Sequence, residues 1–279
     1  MSERTLEKSP SAAPDSALDR MRAVPPRPAA IFPLEQMLRT SGIDITLMVP
    51  CYNEEGNVAA ALDNIRGAVE RLNIVYEIIV IDDCSTDRTS DKVREYQALH
   101  PEMPIHLHRN EVNRGLARNF VDGAFMARGW HYRMVCGDAV ETSDGIRNVL
   151  THMGEADLII PYTEEQPEGK SMPRRILSNV FVSVVNLCSG YNIRYYNGLP
   201  VYRTFDLLRM HTQSRGFGFQ AETITQMLDA GCSYQQVPSV GHERLTGASK
   251  AITVYNWLST GYTIFRILVN RIRRVLFRR

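Results

Sequence analysis

No stretch of the 279-residue sequence approaches the ~20 consecutive apolar residues that a bilayer-spanning helix requires. Cysteine is scarce: the five thiols (Cys51, Cys84, Cys136, Cys188 and Cys232) are scattered, odd in number and without any C-x-x-C pair. That pattern excludes a disulfide scaffold and reads as reduced, cytosolic thiols. A secretory leader is not expected, because the opening residues lack a continuous apolar core. Rich in Pro, Ala and Ser and without apolar periodicity, residues 1–40 read as a disordered arm. Net charge is only +1, so nothing global points to nucleic acid. The balance is uneven, however. From Arg244 onward there are eight basic residues and no acid, leaving −7 on the preceding chain.

What is present is an alternation of strand and helix signals around two apolar runs. Ile45–Pro50 is followed by Cys51-Tyr52-Asn53-Glu54-Glu55-Gly56-Asn57, and Tyr76–Ile81 by Asp82-Asp83-Cys84-Ser85-Thr86-Asp87-Arg88-Thr89. Such apolar runs, rich in β-branched residues, predict strands of a parallel sheet buried on both faces. Ligands of open α/β sheets collect at the carboxyl ends of such strands, where Asp82 and Asp83 stand. The competing reading is that Asp83 and Ser85 only shape a turn and cap a helix.

Val58, Leu62, Ile65, Val69 and Leu72 recur at helical spacing after the first strand. Pro104–His108 reads as a short strand whose His106 and His108 share one face, most simply the exposed side of an edge strand. Asn113–Asn119 suits a tight loop opening a helix, with Arg114 or Arg118 able to reach an anion. Tyr132–Glu141 is a strand ending in Asp138 and Glu141, and Asp157–Tyr162 is another. Residues 163–173 read as a loop over the site. A mostly apolar helix follows from Arg174 to Tyr191, and Gly216–Glu222 introduces a further one. Glu222 in a first turn is also favoured by the helix dipole alone. His242–Lys250 carries Arg244 and Lys250 on a Gly-Ser loop, cations suited to phosphate oxygens. In the tail, residues 251–279, apolar residues from Val254 through Phe265 and Ile272 to Leu276 form a stripe. Six arginines lie mostly off that stripe, predicting a basic amphipathic helix on an anionic membrane surface. A helix docked on the domain with solvated arginines is the alternative.

The motifs VPCYNEEGN, IIVIDDCSTDRT and RLTGASK, in this order, resemble the inverting family 2 glycosyltransferases of GT-A fold, and most closely the dolichol-phosphate mannose synthase group. The resemblance covers residues 44 to 250. It implies an α/β domain over residues 41–250, with a mixed, mainly parallel sheet flanked by helices. It also implies sugar transfer from a nucleoside diphosphate sugar to a dolichyl or undecaprenyl phosphate by a protein peripheral on the cytoplasmic face of a membrane. Pro50, Tyr52, Glu54, Asp82 and Asp83 would hold base and ribose. Arg118, Arg244 and Lys250 would meet the diphosphate, the last two stabilising the leaving group. The family's Asp-x-Asp is incomplete here: Cys136 or Val140 replaces one acid. Asp138, helped by Glu141, would hold a weakly bound Mg2+ or Mn2+. A lipid phosphate is already an anionic nucleophile. A hydroxyl acceptor would instead need a base, for which Glu222 is the candidate. A non-catalytic nucleotide-sugar-binding scaffold on a membrane is the rival from another class.

Overall fold

The computed structural model describes residues 32–162, 172–214, 216, 218–239 and 254–277. In chain order the first elements are α1 (Pro33–Thr40), β1 (Ile45–Cys51), α2 (Val58–Val69), β2 (Tyr76–Asp82), α3 (Thr89–Leu99), β3 (Ile105–Arg109) and α4 (Leu116–Met126). There follow β4 (His131–Met134), α5 (Ser143–Thr151), β5 (Leu158–Tyr162), α6 (Met172–Ser189), β6 (Val201–Arg203), α7 (Thr204–Leu208), α8 (Phe219–Asp229), β7 (Tyr234–Pro238) and α9 (Val254–Phe277).

Among the described residues the strands form one sheet in the order β3-β2-β1-β4-β6-β5-β7. Neighbours are parallel except where β6 runs antiparallel to β4 and β5. This is the mixed, mainly parallel sheet expected. Side chains alternate between the faces with period two, so each apolar run serves two cores. Leu47, Val49, Ile78 and Val80 pack with Leu62 and Ile65 of α2, Val93 of α3 and Val149 of α5. Met48, Ile79 and Ile81 lie in a second cluster with Phe120 of α4, Val185 of α6, Ile224 of α8 and Ile267 of α9. β3 is an edge strand, and His106 and His108 are exposed on it, His106 Nε2 lying 3.3 Å from Arg128 Nη2.

Two expectations change at the ends of the chain. Residues 33–40, expected to be disordered, form α1, with Pro33 at its start where a missing N–H is harmless. Leu38 is buried with Trp130 and Phe205, Arg39 lies 4.5 Å over Trp130, and Glu35 pairs with Arg203 at 3.3 Å. Eight residues are too few to display a helical period, and docking stabilises what propensity alone would not.

Nor is α9 an appendage. It packs against α6 and α8, burying Thr263 and Ile267. Arg273 is exposed, but three other arginines turn onto the domain: Arg266 pairs with Glu222 at 3.4 Å and Arg274 with Asp229. Arg271 Nη1 donates to the Ser189 carbonyl at 2.9 Å, a cation at the C-terminus of α6 where the helix dipole favours it. Gly190, just beyond, has φ +76°, and a Cβ there would lie 2.6 Å from Arg271 Nη2. With these three arginines turned inward, Tyr262, Phe265, Leu268, Ile272, Val275 and Leu276 face outward, Phe265 at 61% and Leu276 at 68% exposure.

Candidate active site

The carboxyl ends of β1, β2 and β4 lie side by side, and the loops leaving them are laced together. Asp83 N–H donates to the Cys51 carbonyl at 2.8 Å. Asn53 N–H donates to Ser85 Oγ at 3.0 Å, while Thr86 N–H returns a bond to Asn53 Oδ1 at 2.8 Å. Glu54 N–H meets Thr89 Oγ1 at 2.8 Å, and Arg88 N–H meets Glu55 Oε2 at 2.9 Å. Asn53 (φ 57°) and Cys84 (φ 63°) take left-handed backbone to make these turns. Many of the polar side chains in the two motifs are therefore spent on side chain-to-backbone bonds that fix the loops. Tyr52, 42% exposed, stands out from this lacework, and the Glu54 carboxylate accepts from Asn57 Nδ2 at 2.7 Å.

The two adjacent acids do different things. Asp82, expected among the ligand carboxylates, is fully buried and accepts from Ser85 N–H at 2.9 Å and from the Ser90 hydroxyl. It is a turn anchor with no face toward a ligand. Asp83 accepts from the N–H groups of Arg114 and Gly115 and from Asn110 Nδ2, each at 2.8 Å. It thus holds the 110–115 loop, and Gly115 enters α4 at φ +80°. Three donors leave one of the roughly four acceptor positions of a carboxylate open. Arg114 and Arg118 flank Asp122 at 2.7 and 2.9 Å, with the Arg118 side chain 57% exposed.

At the end of β4, Asp138 is nearly buried and Ala139 takes φ 57°. Glu141, expected to help Asp138 with a cation, is instead paired with Arg133. Arg133 is fully buried and also donates Nε–H to the Leu199 carbonyl at 3.1 Å. Burial pushes the Glu141 carboxyl up, against the pull of the guanidinium. The pair ties the turn after β4 to the 198–200 segment. Gly198 there approaches Pro161 so closely that a Cβ would lie 2.0 Å from its carbonyl oxygen. Arg133 lies inside a fully buried strand, and a charge in such a run is the one sequence signal of this pair.

Burial raises the Cys51 thiol well above its ordinary range, with Glu54, Asp82, Cys136 and Asp138 adding to the effect. These groups therefore converge on one negative locus at the strand ends. Among the described residues no group of three His, Cys, Asp or Glu side chains could enclose a metal ion. A cation enclosed by protein does not fit here. One shared between Asp138 and phosphate oxygens does, because hard cations complete their shells with substrate oxygens and water.

Glu222 is fully buried. It accepts from Ser214 N–H at 2.8 Å, Gln213 N–H at 3.2 Å and Gln226 Nε2 at 3.2 Å, besides its pairing with Arg266. Both oxygens are engaged, so the expectation of a base for a hydroxyl acceptor is not met by its geometry. Arg244, Lys250 and residues 163–171 lie outside the described residues.

Known proteins resemble the chain in both sequence and fold. An undecaprenyl-phosphate mannosyltransferase of Micrococcus luteus is 26% identical over 218 residues, 74% of this chain and 86% of that protein. A dolichol-phosphate mannosyltransferase of Pyrococcus furiosus is 34% identical over 85 residues, 30% of this chain and 23% of that one. A dolichyl-phosphate β-glucosyltransferase of Trichomonas vaginalis is 31% identical over 124 residues, 43% of this chain, and there too the match spans only 36% of the relative. In fold, the chain is similar to mannosyltransferase PcManGT of Pyrobaculum calidifontis, solved with GDP-Man and Mn2+. The TM-score is 0.60 at 19% identity, covering 82% of this chain and 64% of that one. Glucosyl-3-phosphoglycerate synthase of Mycobacterium tuberculosis, solved with Mn2+, UDP and phosphoglyceric acid, gives 0.61 at 16% identity over 88% and 84%. These likenesses establish the GT-A fold. Residues 46–197, more than half of the sequence, match the profile of glycosyl transferase family 2, and with the motifs laced at the strand ends the chain belongs to that family.

Proposed function

We propose that the protein transfers a sugar, with inversion, from a nucleoside diphosphate sugar to a polyprenyl phosphate at the cytoplasmic face of a membrane. The observation that carries this reading is the outward apolar face of α9, from Tyr262 to Leu276. α6, which packs against α9, adds Ile176, Val180 and Leu187, also exposed. Among the described residues no helix is long and apolar enough to cross a membrane. An apolar helix face of this kind suits burial at the level of lipid headgroups. Relatives named for transfer to undecaprenyl and dolichyl phosphates point the same way.

In this reading Pro50, Tyr52, Glu54 and Asp83 receive the base and ribose, on loops prefixed by their mutual hydrogen bonds. Arg118, Arg244 and Lys250 meet the diphosphate and offset charge developing on the leaving group. Asp138 would hold a divalent cation together with the diphosphate, and such an ion supplies further charge neutralisation there. The lipid phosphate attacks the anomeric carbon from the face opposite the leaving diphosphate, which gives inversion. Being anionic already, it surrenders no proton, which agrees with the sealed position of Glu222.

The membrane reading also changes in kind. With Arg266, Arg271 and Arg274 bonded to the protein, attachment rests on apolar insertion more than on attraction to anionic lipid. Vesicle co-sedimentation tests this. The wild type should pellet with neutral phosphatidylcholine vesicles as well as with those containing phosphatidylglycerol, and 0.5 M salt, roughly a 4 Å screening length, should reduce binding little. Phe265→Glu/Ile272→Glu should abolish pelleting, since each large apolar side chain contributes about 1.5–3 kcal/mol when fully buried. Pelleting of that variant at wild-type level would remove the membrane from the account.

A further inference from the structure

Glu222 is a buried carboxylate for which phosphate-acceptor chemistry has no task. Its neighbours explain its presence. A buried charge needs a compensating one, and among the described residues bonded to it Arg266 of α9 is the cationic one. The remaining donors are the backbone N–H groups of Gln213 and Ser214, and Gln226 one helical turn along α8. α9 also touches this end of α8 at close range. A Cβ on Gly216 would lie 2.4 Å from Ser259 Oγ, and one on Gly218 2.4 Å from Thr263 Oγ1. The hydroxyls of Ser214 and Thr263 are 2.7 Å apart.

The topology says which end this is. β7 follows α8 after a short turn and runs parallel to β5, which is itself parallel to β4 through their shared antiparallel neighbour β6. α8 therefore finishes at the amino-terminal edge of the sheet and starts at the carboxyl edge, on the side of Asp138 and the laced loops.

We infer that Arg266 is a positioning residue for sugar transfer: it holds Glu222, and through Glu222 the 213–214 turn, so that the seating of α9 sets the carboxyl-edge end of α8. The helix that carries the outward apolar face is thus wired into the catalytic domain by its opposite face. Deleting it would remove Arg266 from Glu222 and Arg274 from Asp229, so truncation is not a clean way to separate membrane binding from donor binding. The kinetic part of this inference rests on the transfer reading above; the structural part does not.

The test uses the full chain with Arg266→Met, Arg266→Lys and the double variant Arg266→Met/Glu222→Gln. Hydrogen exchange at the amides of Gln213 and Ser214 is read directly. It should accelerate about tenfold or more in Arg266→Met and stay near wild type in Arg266→Lys. Turnover of GDP-mannose or UDP-glucose with undecaprenyl phosphate should show kcat down about tenfold in Arg266→Met, with donor KM within about twofold, since the donor loops are untouched. Phosphatidylcholine vesicle binding should not change in Arg266→Lys. If Arg266→Met fails to fold, the double variant, which removes the unpaired charge, decides. It should fold, yet keep fast exchange and low kcat, because a neutral amide oxygen accepts from the Gln213 and Ser214 N–H groups more weakly than the carboxylate Oε2 that takes both. Wild-type exchange and kcat in Arg266→Met, or full recovery of both in the double variant, would overturn the inference. If no lipid phosphate is glycosylated by the wild type, the transfer reading fails while the exchange result still judges the role of Arg266.

Discussion

Replacing Arg133 by Met removes a fully buried guanidinium and leaves the Glu141 carboxylate, whose side chain is only 16% exposed, without its partner. Breaking one side of a buried ion pair destabilises by about 3–5 kcal/mol, whereas replacing both sides by apolar groups is often near neutral. Three further details fix the pattern expected here. The Leu199 carbonyl loses its donor as well. Glu141 can escape its isolation by taking a proton, because burial already raises its pKa and the variant removes the cation that restrains it. Arg133 has no such escape, since a guanidinium stays charged. Urea unfolding at pH 7.5 should therefore show Arg133→Met destabilised by about 3 kcal/mol and Glu141→Gln by about as much or more. Arg133→Met/Glu141→Gln should lose well under the sum of the two single losses. The sign of the pH effect follows from linkage. A carboxyl with a raised folded pKa binds more protons folded than unfolded, so stability falls as pH climbs from the usual carboxylate range through the folded value. The Arg133→Met deficit should accordingly shrink when the titration is repeated at pH 5. Single variants each within 1 kcal/mol of wild type (roughly the level of an exposed pair), or strictly additive losses in the double, would show that the pair does not hold the turn after β4.

His131 is buried, its Nδ1 lying 3.3 Å from the Asp44 carbonyl, and burial pushes its pKa down to about 4 from 6.5. The unfolded chain binds the extra proton first, so about 3 kcal/mol of stability should be lost as pH falls from 6.5 to 4, and His131→Asn should flatten that part of the stability profile. Asp83→Ala strips the acceptor from three donors and should destabilise on the order of 3 kcal/mol while loosening the 110–115 loop. Calorimetry with GDP and UDP should then show nucleotide affinity down tenfold or more (about 1.4 kcal/mol); unchanged affinity in the folded variant would sink its site role. Asp138→Ala should lower turnover and abolish any response to Mn2+, whereas excess chelator should slow the wild type without stopping it. Full turnover in chelator, or a fully active Asp138→Ala variant, would show that protein cations suffice at the diphosphate.

The sheet was legible because its central strands are apolar on both faces, and β1 and β2 break off at their motifs where the chain turns. The pair of loops was legible as a ligand site, but not the division of labour within it. Asp82 and Asp83 are chemically alike and adjacent, and only tertiary neighbours decide that one is sealed by Ser85 and Ser90 while the other meets the 110–115 loop. The tail was legible as an amphipathic helix, since periodicity reveals two faces. It does not reveal which face turns inward. That was settled by Glu222, Asp229 and the Ser189 carbonyl, acceptors far away in sequence that draw three arginines onto the domain. Arg133 and Glu141 were hidden for the same reason: a buried pair appears in a sequence only as one unexpected charge in a strand and one ordinary acid in a loop.

The central claim is sugar transfer to a lipid phosphate, and the most direct measurement follows a labelled sugar from donor to lipid. The purified protein, residues 1–279, is incubated with GDP-mannose or UDP-glucose, Mn2+ and phosphatidylcholine vesicles containing either undecaprenyl phosphate or undecaprenol. The account predicts label in the organic phase with the phosphate alone, as a product whose anomeric configuration is inverted relative to the donor. Transfer to undecaprenol at a comparable rate, retention of configuration, or donor hydrolysis indifferent to the lipid would contradict it.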